Sequence, residues 1–513
     1  MPETSQTGKV MLDRGTGLDR GMLIAAYGYL TLPSLLFVLG WLRLDIGIPV
    51  AIVLVIACVC CVRAETPVTS DFLTATPARR QDLVAVILLV VAWFVLSGVG
   101  GYAFQNLDHH WRNIIFRDLV FARWPLVVTA PPGLPGSGQL LGFVYYLGHW
   151  LPAAAIGKLL GFSAALHALF IWSLLGGLLA FYFFFRHLRT LTFGLGVLFV
   201  AFSGLDIVGM MLMRLLSHTA LPELGEHLES WAPYFQYSSI TTTLYWVFNQ
   251  AICVWVIVML LLNQRRPGNL GYLLAMSFIC APYPAIGLVP IVLCLGYRLI
   301  AEVPRQPRPR WLTFRSVAPL LLLGGICGAY YLANNQQAGL GLGSGFFFHL
   351  FPCSFRTVGI YLLFCLLEYG VFVLLLTPAF RREPLFVVTG VALTLIPLYH
   401  SGVNNDFVMR ASIPLLLVVM VYLARYFTRE PAEQHRPTRI ALLILLAIGA
   451  WTPSAEIIRS LVNTFQGTTI ADRFHSYGDQ HTEMLMLHTP AEFGTQFGSH
   501  VEQSFFFKYL ARK

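Results

Sequence analysis

Predominantly apolar runs of about 20 residues, such as 83–104, 191–213 and 407–427, recur along the whole chain. Coiled as α-helices, runs of that length match a hydrocarbon layer roughly 30 Å thick. Inside such a layer every backbone N–H and C=O must bond within the protein, which leaves helices and closed barrels as spanning structures. A barrel would need short alternating segments, and these runs are continuously apolar. Composition agrees: 57% of the 513 residues are apolar and only 12% are charged, about half the charged fraction of a soluble domain. The expected fold is an all-α polytopic transmembrane helical bundle.

Hydropathy predicts about 13 spans, near 22–41, 46–63, 83–104, 164–186, 191–213, 241–263, 269–282, 284–301, 316–333, 357–379, 384–400, 408–427 and 439–457. A cytoplasmic N-terminus then puts 21 of the 34 Lys and Arg residues on the cytoplasmic side, in the shorter loops. The opposite orientation would export nearly every compact arginine pair, against the positive-inside rule. The formal charge of +9 is spread as these short clusters between apolar runs, so it reads as topology and not as a nucleic-acid surface. The first 20 residues are polar and carry Lys9, Arg14 and Arg20; they are expected to precede an uncleaved first helix. Most of the nine cysteines lie within apolar runs, where a thiol is usually a small packing group.

Residues 140–160 are apolar enough to span, but counting them would invert every later loop and break the charge pattern. They are expected to form an interfacial or re-entrant helix on the outer face. The pair 269–282 and 284–301, joined at Pro282-Tyr283-Pro284, is the weakest pair of spans. Three regions follow: 1–82 with the cytoplasmic N-terminus and two helices, 83–457 as the transmembrane core, and 458–513 as an extracytoplasmic tail. The outer side also collects 105–163, 214–240, 334–356 and 401–407.

The first long polar loop carries Asn106-Leu107-Asp108-His109-His110-Trp111-Arg112-Asn113 and then Arg117. Ionisable groups beside hydrocarbon are costly, so a cluster of them marks a functional candidate. Helical spacing over 106–124 predicts an amphipathic helix, with Trp111, Ile115, Leu119 and Ala122 on one side and Asn106, His110, Asn113 and Arg117 on another. Asp108, near the start, suits either a helix cap, a general base or a ligand for a divalent cation. Adjacent His109 and His110 point about 100° apart on a helix and seldom share an ion. Arg112 and Arg117 suit phosphate oxygens, or ion pairing with Asp118 or lipid headgroups.

Asp206 sits late in an apolar span after Ser203-Gly204-Leu205, so it should face a polar cavity. Glu226 and Glu229 are spaced to share a helical face and read as a solvated acidic surface. Gly339 to Gly345 reads as a flexible loop. Arg410 lies just inside a span on the outer side, with Asp406 four residues before it. The pair either caps a helix or aims a guanidinium at a phosphate or pyrophosphate.

Together with an acidic residue in a long outer loop after an early span, certain segments resemble the GT-C superfamily of integral-membrane glycosyltransferases. These are Val144-Tyr145-Tyr146-Leu147 with Trp150, Leu160-Gly161-Phe162, Phe235-Gln236-Tyr237-Ser238-Ser239, Asn249-Gln250, and Asn405 to Arg410. The resemblance covers about 83–457, with two additional helices before it, and implies juxtamembrane helices in the first long external loop. It further implies a multi-pass protein of the bacterial inner membrane that transfers sugar from a polyprenyl-phosphate-linked donor, with inversion, at the outer face. The acceptor would be a glycan, a lipid or a protein. Asp108 would take the acceptor proton, with Asp206 as the candidate second carboxylate. His109, His110, Arg112, Arg117, Asp406 and Arg410 would bind substrate, Arg410 holding the lipid phosphate. Where the family often has a paired acidic motif, this chain has His109 and His110 after Asp108, which leaves the metal open. Two other readings compete. A transporter or flippase of lipid-linked saccharide would show repeats and broken helices, and a polysaccharide polymerase or ligase would place its largest outer loop late.

Overall fold

The apolar runs fold as helices. The computed structural model describes residues 6–65, 79–129, 138, 140–222, 226–301, 313–334, 344–401, 405–429, 435–466 and 498–513. Ten of the described helices are long and apolar enough to cross a membrane: Gly17–Trp41, Leu44–Ala64, Phe162–Leu188, Phe193–Ser217, Ile240–Leu262, Pro282–Ala301, Phe314–Leu332, Phe355–Phe380, Asp406–Phe427 and Arg436–Phe465. The chain is an integral, multi-pass membrane protein of the helical class. Ile240–Leu262 and Asp406–Phe427 are almost wholly buried and form the centre of the bundle. The other eight expose more of their surface, as helices facing lipid do.

The remaining three expected spans are shorter, and local chemistry explains why. Arg80–Leu96 stops after 17 residues because Gly98, Gly100 and Gly101 follow with positive φ, a conformation that glycine adopts freely. Leu270–Ser277 has eight residues, all buried, and ends in a turn before Pro282 opens the next helix. Pro384–Leu398 is apolar but short, its last turn carrying Pro397. Residues 140–160 do not form one helix. They split into the strand Leu140–Phe143, a turn at Gly148–Trp150 and the ten-residue helix Leu151–Leu160, about 15 Å long and too short to cross.

Three interruptions inside long helices shape the interior. Phe193–Ala201 and Asp206–Ser217 are separated by non-helical backbone at 202–205. The second lies in Phe355–Phe380, which contains a π-turn at Leu366–Gly370, and the two meet where the Leu205 N–H donates to the Leu367 carbonyl (3.0 Å). A Cβ on Gly204 would lie 2.8 Å from the Glu368 Cα, so only glycine permits this approach. The central helix Ile240–Leu262, started by Ser239 accepting the Thr242 N–H (2.9 Å), is itself kinked at Val247.

One end of the bundle gathers distant parts of the chain. Strands Val127–Thr129, Leu140–Phe143 and Gly498–His500 form an antiparallel sheet in which Leu141 faces both Val128 and His500. The chain end then bonds to the turn after Trp41, through Arg43 N–H to Leu510 O (2.9 Å) and Arg512 N–H to Trp41 O (2.8 Å). Phe506 is fully buried against Phe37 and Tyr330. The boundary expected at 457 falls inside the helix Trp451–Phe465.

Candidate functional site

The amphipathic helix expected over 106–124 runs Leu107–Phe121. Its cap is Asn106, whose side-chain oxygen accepts the Asp108 N–H (3.1 Å). The capping role considered for Asp108 therefore belongs to its neighbour. Asp108 instead pairs with Arg112 one turn on (2.7 Å), the carboxylate 39% exposed and the guanidinium 5%. A second pair has the same form: Arg410 holds Asp406 at 3.0 Å, with 9% and 36% exposure. Asn405, in the left-handed region at φ 51°, turns the chain into that helix.

Tyr145 and Tyr146 join the two pairs. Their rings stack at 3.8 Å and their hydroxyls bond at 2.6 Å. Arg410 lies over the Tyr146 ring (5.4 Å) and near Tyr283 (6.0 Å), while Arg112 lies over Phe248 (5.8 Å). Burial pushes the Tyr145 phenol up, and the Arg112 and Arg410 guanidiniums both pull it back down. Two guanidiniums from distant helices thus act on one hydroxyl. Arg112 Nη1 and Arg410 Nε are buried and meet no acceptor among the described residues. Buried donors of that kind call for an oxyanion or water. The tyrosine backbone is held by Tyr330, which accepts the Tyr145 N–H and donates to the Phe143 carbonyl, both at 3.1 Å.

The other expected site residues have different surroundings. His109 is buried, stacks on Phe248 (5.5 Å) and bonds the Tyr245 carbonyl through Nε2 (3.1 Å). Burial, and then the Arg112 charge, push its pKa down to about 3, which favours the neutral imidazole. Asn106 bonds the same carbonyl (2.8 Å). Arg117 lies over Phe121 on its own helix (5.4 Å). His110 is in the helix, but its side chain lies outside the described residues, as do Glu223 and residues 335–343 of the glycine-rich loop.

Asp206 belongs to a second cluster. It is fully buried, and its Oδ2 accepts from Ser203 Oγ (2.8 Å) and Thr452 Oγ1 (2.9 Å). Glu368 packs beside it, its carboxyl lying against Gly204 and accepting from Trp231 Nε1 (2.8 Å). Glu229 is buried beside them, taking the Ser239 N–H (2.8 Å) and Gln236 Nε2 (3.2 Å). The solvated acidic face expected of Glu226 and Glu229 is thereby corrected: Glu229 sits in a tight turn, Glu229–Trp231, that points it inward. Burial, then the Asp206 carboxylate, push its pKa up to about 7. His227 Nδ1 meets Glu456 Oε1 at 3.1 Å, and Glu456 Oε2 takes Trp246 Nε1 (2.9 Å) and pairs with Arg459.

The sequence analysis did not single out Glu368 or Glu456, although Glu368 carries the signal that marked Asp206, one carboxylate in an apolar run. Tyr145 and Tyr146 were read as part of an outer-face segment, and only the fold shows them between two ion pairs. Among the described residues, no three of His, Cys, Asp or Glu come together to hold a metal ion. No family model, no curated protein and no solved structure matches this chain.

Proposed function

We propose that the chain transfers a sugar from a polyprenyl-phosphate-linked donor to a hydroxyl acceptor at the outer face of the membrane, with Asp108 as general base. The acceptor oxygen attacks the anomeric carbon, the bond to the phosphate oxygen breaks, and the acceptor proton passes to Asp108. Arg112 and Arg410 hold the phosphate that leaves on its lipid, since charge grows there as the bond breaks. One observation carries the reading: buried donors on Arg112 and Arg410, flanking one tyrosine pair, have no acceptor in the described protein. A phosphate arriving at Arg112 would compete with Asp108 for the guanidinium and leave the carboxylate freer to accept a proton.

In this reading the fold is GT-C-like and three shorter segments also cross, Leu270–Ser277 together with the turns that flank it, giving about thirteen crossings. The N-terminus is cytoplasmic, in a bacterial inner membrane, and the end bearing Asp108 faces outward. The test is transfer from polyprenyl-phosphate sugars in proteoliposomes. Asp108→Asn, which keeps the shape and a partner for Arg112, should lose at least 100-fold in rate. An Asp108→Asn protein as active as the wild type would remove Asp108 as the base. A second reading, movement of a lipid-linked saccharide across the membrane, is favoured by the helix break at 202–205, since such breaks line substrate paths in transporters. It would be supported by donor crossing the bilayer without sugar transfer.

A further inference from the structure

The Asp206 cluster shares no residue with the pairs around Tyr145, and the transfer step written above does not draw on it. Its chemistry is incomplete without a ligand. Asp206 Oδ2 is satisfied by Ser203 and Thr452, but no N–H or hydroxyl among the described residues reaches the buried Oδ1. Beside it lies Glu368, itself 2% exposed, whose carboxyl sits against Gly204, two residues before Asp206. Two ionised carboxylates cannot hydrogen-bond to each other, and in a water-free interior they repel. Two buried carboxyls packed this closely are stable only if at least one keeps its proton.

We propose that Asp206 and Glu368 form a proton-binding site that fastens two interrupted helices together, so that proton loss releases them. The elements involved support this. Asp206 opens the half-helix after the break at 202–205, and Glu368 lies in the π-turn Leu366–Gly370. The two segments are tied by the Leu205 N–H to Leu367 carbonyl bond and by the close approach of Gly204 to Glu368. Broken helices and π-turns carry fewer internal hydrogen bonds than regular helix and can repack at low cost.

Three of the packed segments contribute charged or titratable neighbours. The 229–231 turn brings Glu229, on which the Asp206 charge acts. The segment before it brings His227, 27% exposed and the wettest member. The last long helix brings Glu456 and Arg459, paired with each other. His227 is pulled down by burial, but its bond to Glu456 and the charges of Glu229 and Glu456 outweigh this and raise its pKa. It is therefore suited to exchange protons between the buried acids and water.

The test uses the full-length protein in lipid nanodiscs. Infrared difference spectra across a pH titration report protonated carboxyls directly. The wild type should keep a protonated-carboxyl band above pH 7, and Asp206→Asn and Glu368→Gln should each abolish it. Glu229→Gln should remove only the component that titrates near pH 7. Amide replacements carry no charge, so the pair should hold and Tm should fall less with rising pH than in the wild type. A wild type with no protonated carboxyl above pH 7 overturns the proposal without recourse to any variant. So does a band that survives in both Asp206→Asn and Glu368→Gln.

Discussion

Arg112 and Arg410 show how residue-scale chemistry decides between readings of a charged group. Each holds a carboxylate four residues away, an arrangement that on a helix surface is worth only about 0.5 kcal/mol. A helix-stabilising pair needs neither a nearly buried guanidinium nor an unmet N–H, and both arginines have these. Replacing Arg410 with alanine should therefore raise KM for a polyprenyl-phosphate donor about tenfold or more, consistent with loss of a charged hydrogen bond of roughly 1.5–3 kcal/mol. An unchanged KM would return Arg410 to a helix-end role. At Glu229 the expectation concerns pH. Its folded pKa, about 7, lies above the ordinary 4.5, so the protonated form is favoured by folding. The resulting stability is fully present below pH 4.5 and fades as pH rises to about 7. The difference in Tm between wild type and Glu229→Gln should shrink or reverse across that window; a constant difference would contradict a neutral buried Glu229.

Elements were legible where periodicity and charge bias acted together. The run of apolar residues located every long helix, and the arginine pattern correctly denied 140–160 a crossing. What hydropathy could not show was where a helix breaks inside an apolar run. Residues 191–213 read as one span, yet the Ser203-Gly204 step opens it, because Gly204 must lie against Glu368, far away in sequence. Close helix contacts are equally hidden. A Cβ on Gly287 would come 1.9 Å from the Ala411 carbonyl, at the crossing that sets Arg410 beside Tyr283. Gly287→Ala must push these helices apart. It should lower stability by about 1–3 kcal/mol, the usual range for overpacking, and weaken donor binding with it. Melting of the purified protein reads the first effect; a Tm equal to wild type would mean that the crossing is looser than described.

Across the whole molecule, the site depends on parts that sequence analysis found separately and had no means of joining. The Asp108 helix, Tyr145–Tyr146 just beyond the strand Leu140–Phe143 and the Asp406 helix come together, and the segment around Phe506 supports the tyrosines through Tyr330. Phe506 packs on Tyr330, and Tyr330 holds the backbone of Tyr145. Side-chain surroundings were less visible than positions: nothing in the sequence showed that His109 lies buried against Phe248, since hydropathy says nothing about which way one turn of a helix faces. The claim that matters most is that Arg112 and Arg410 grip one phosphate. A double-mutant cycle on polyprenyl phosphate binding, with Arg112→Gln, Arg410→Gln and both together, tests it directly. The account predicts that the two losses fail to add, with a coupling of about 0.5–3 kcal/mol. Losses that add within about 0.5 kcal/mol, or no loss at either position, would contradict it.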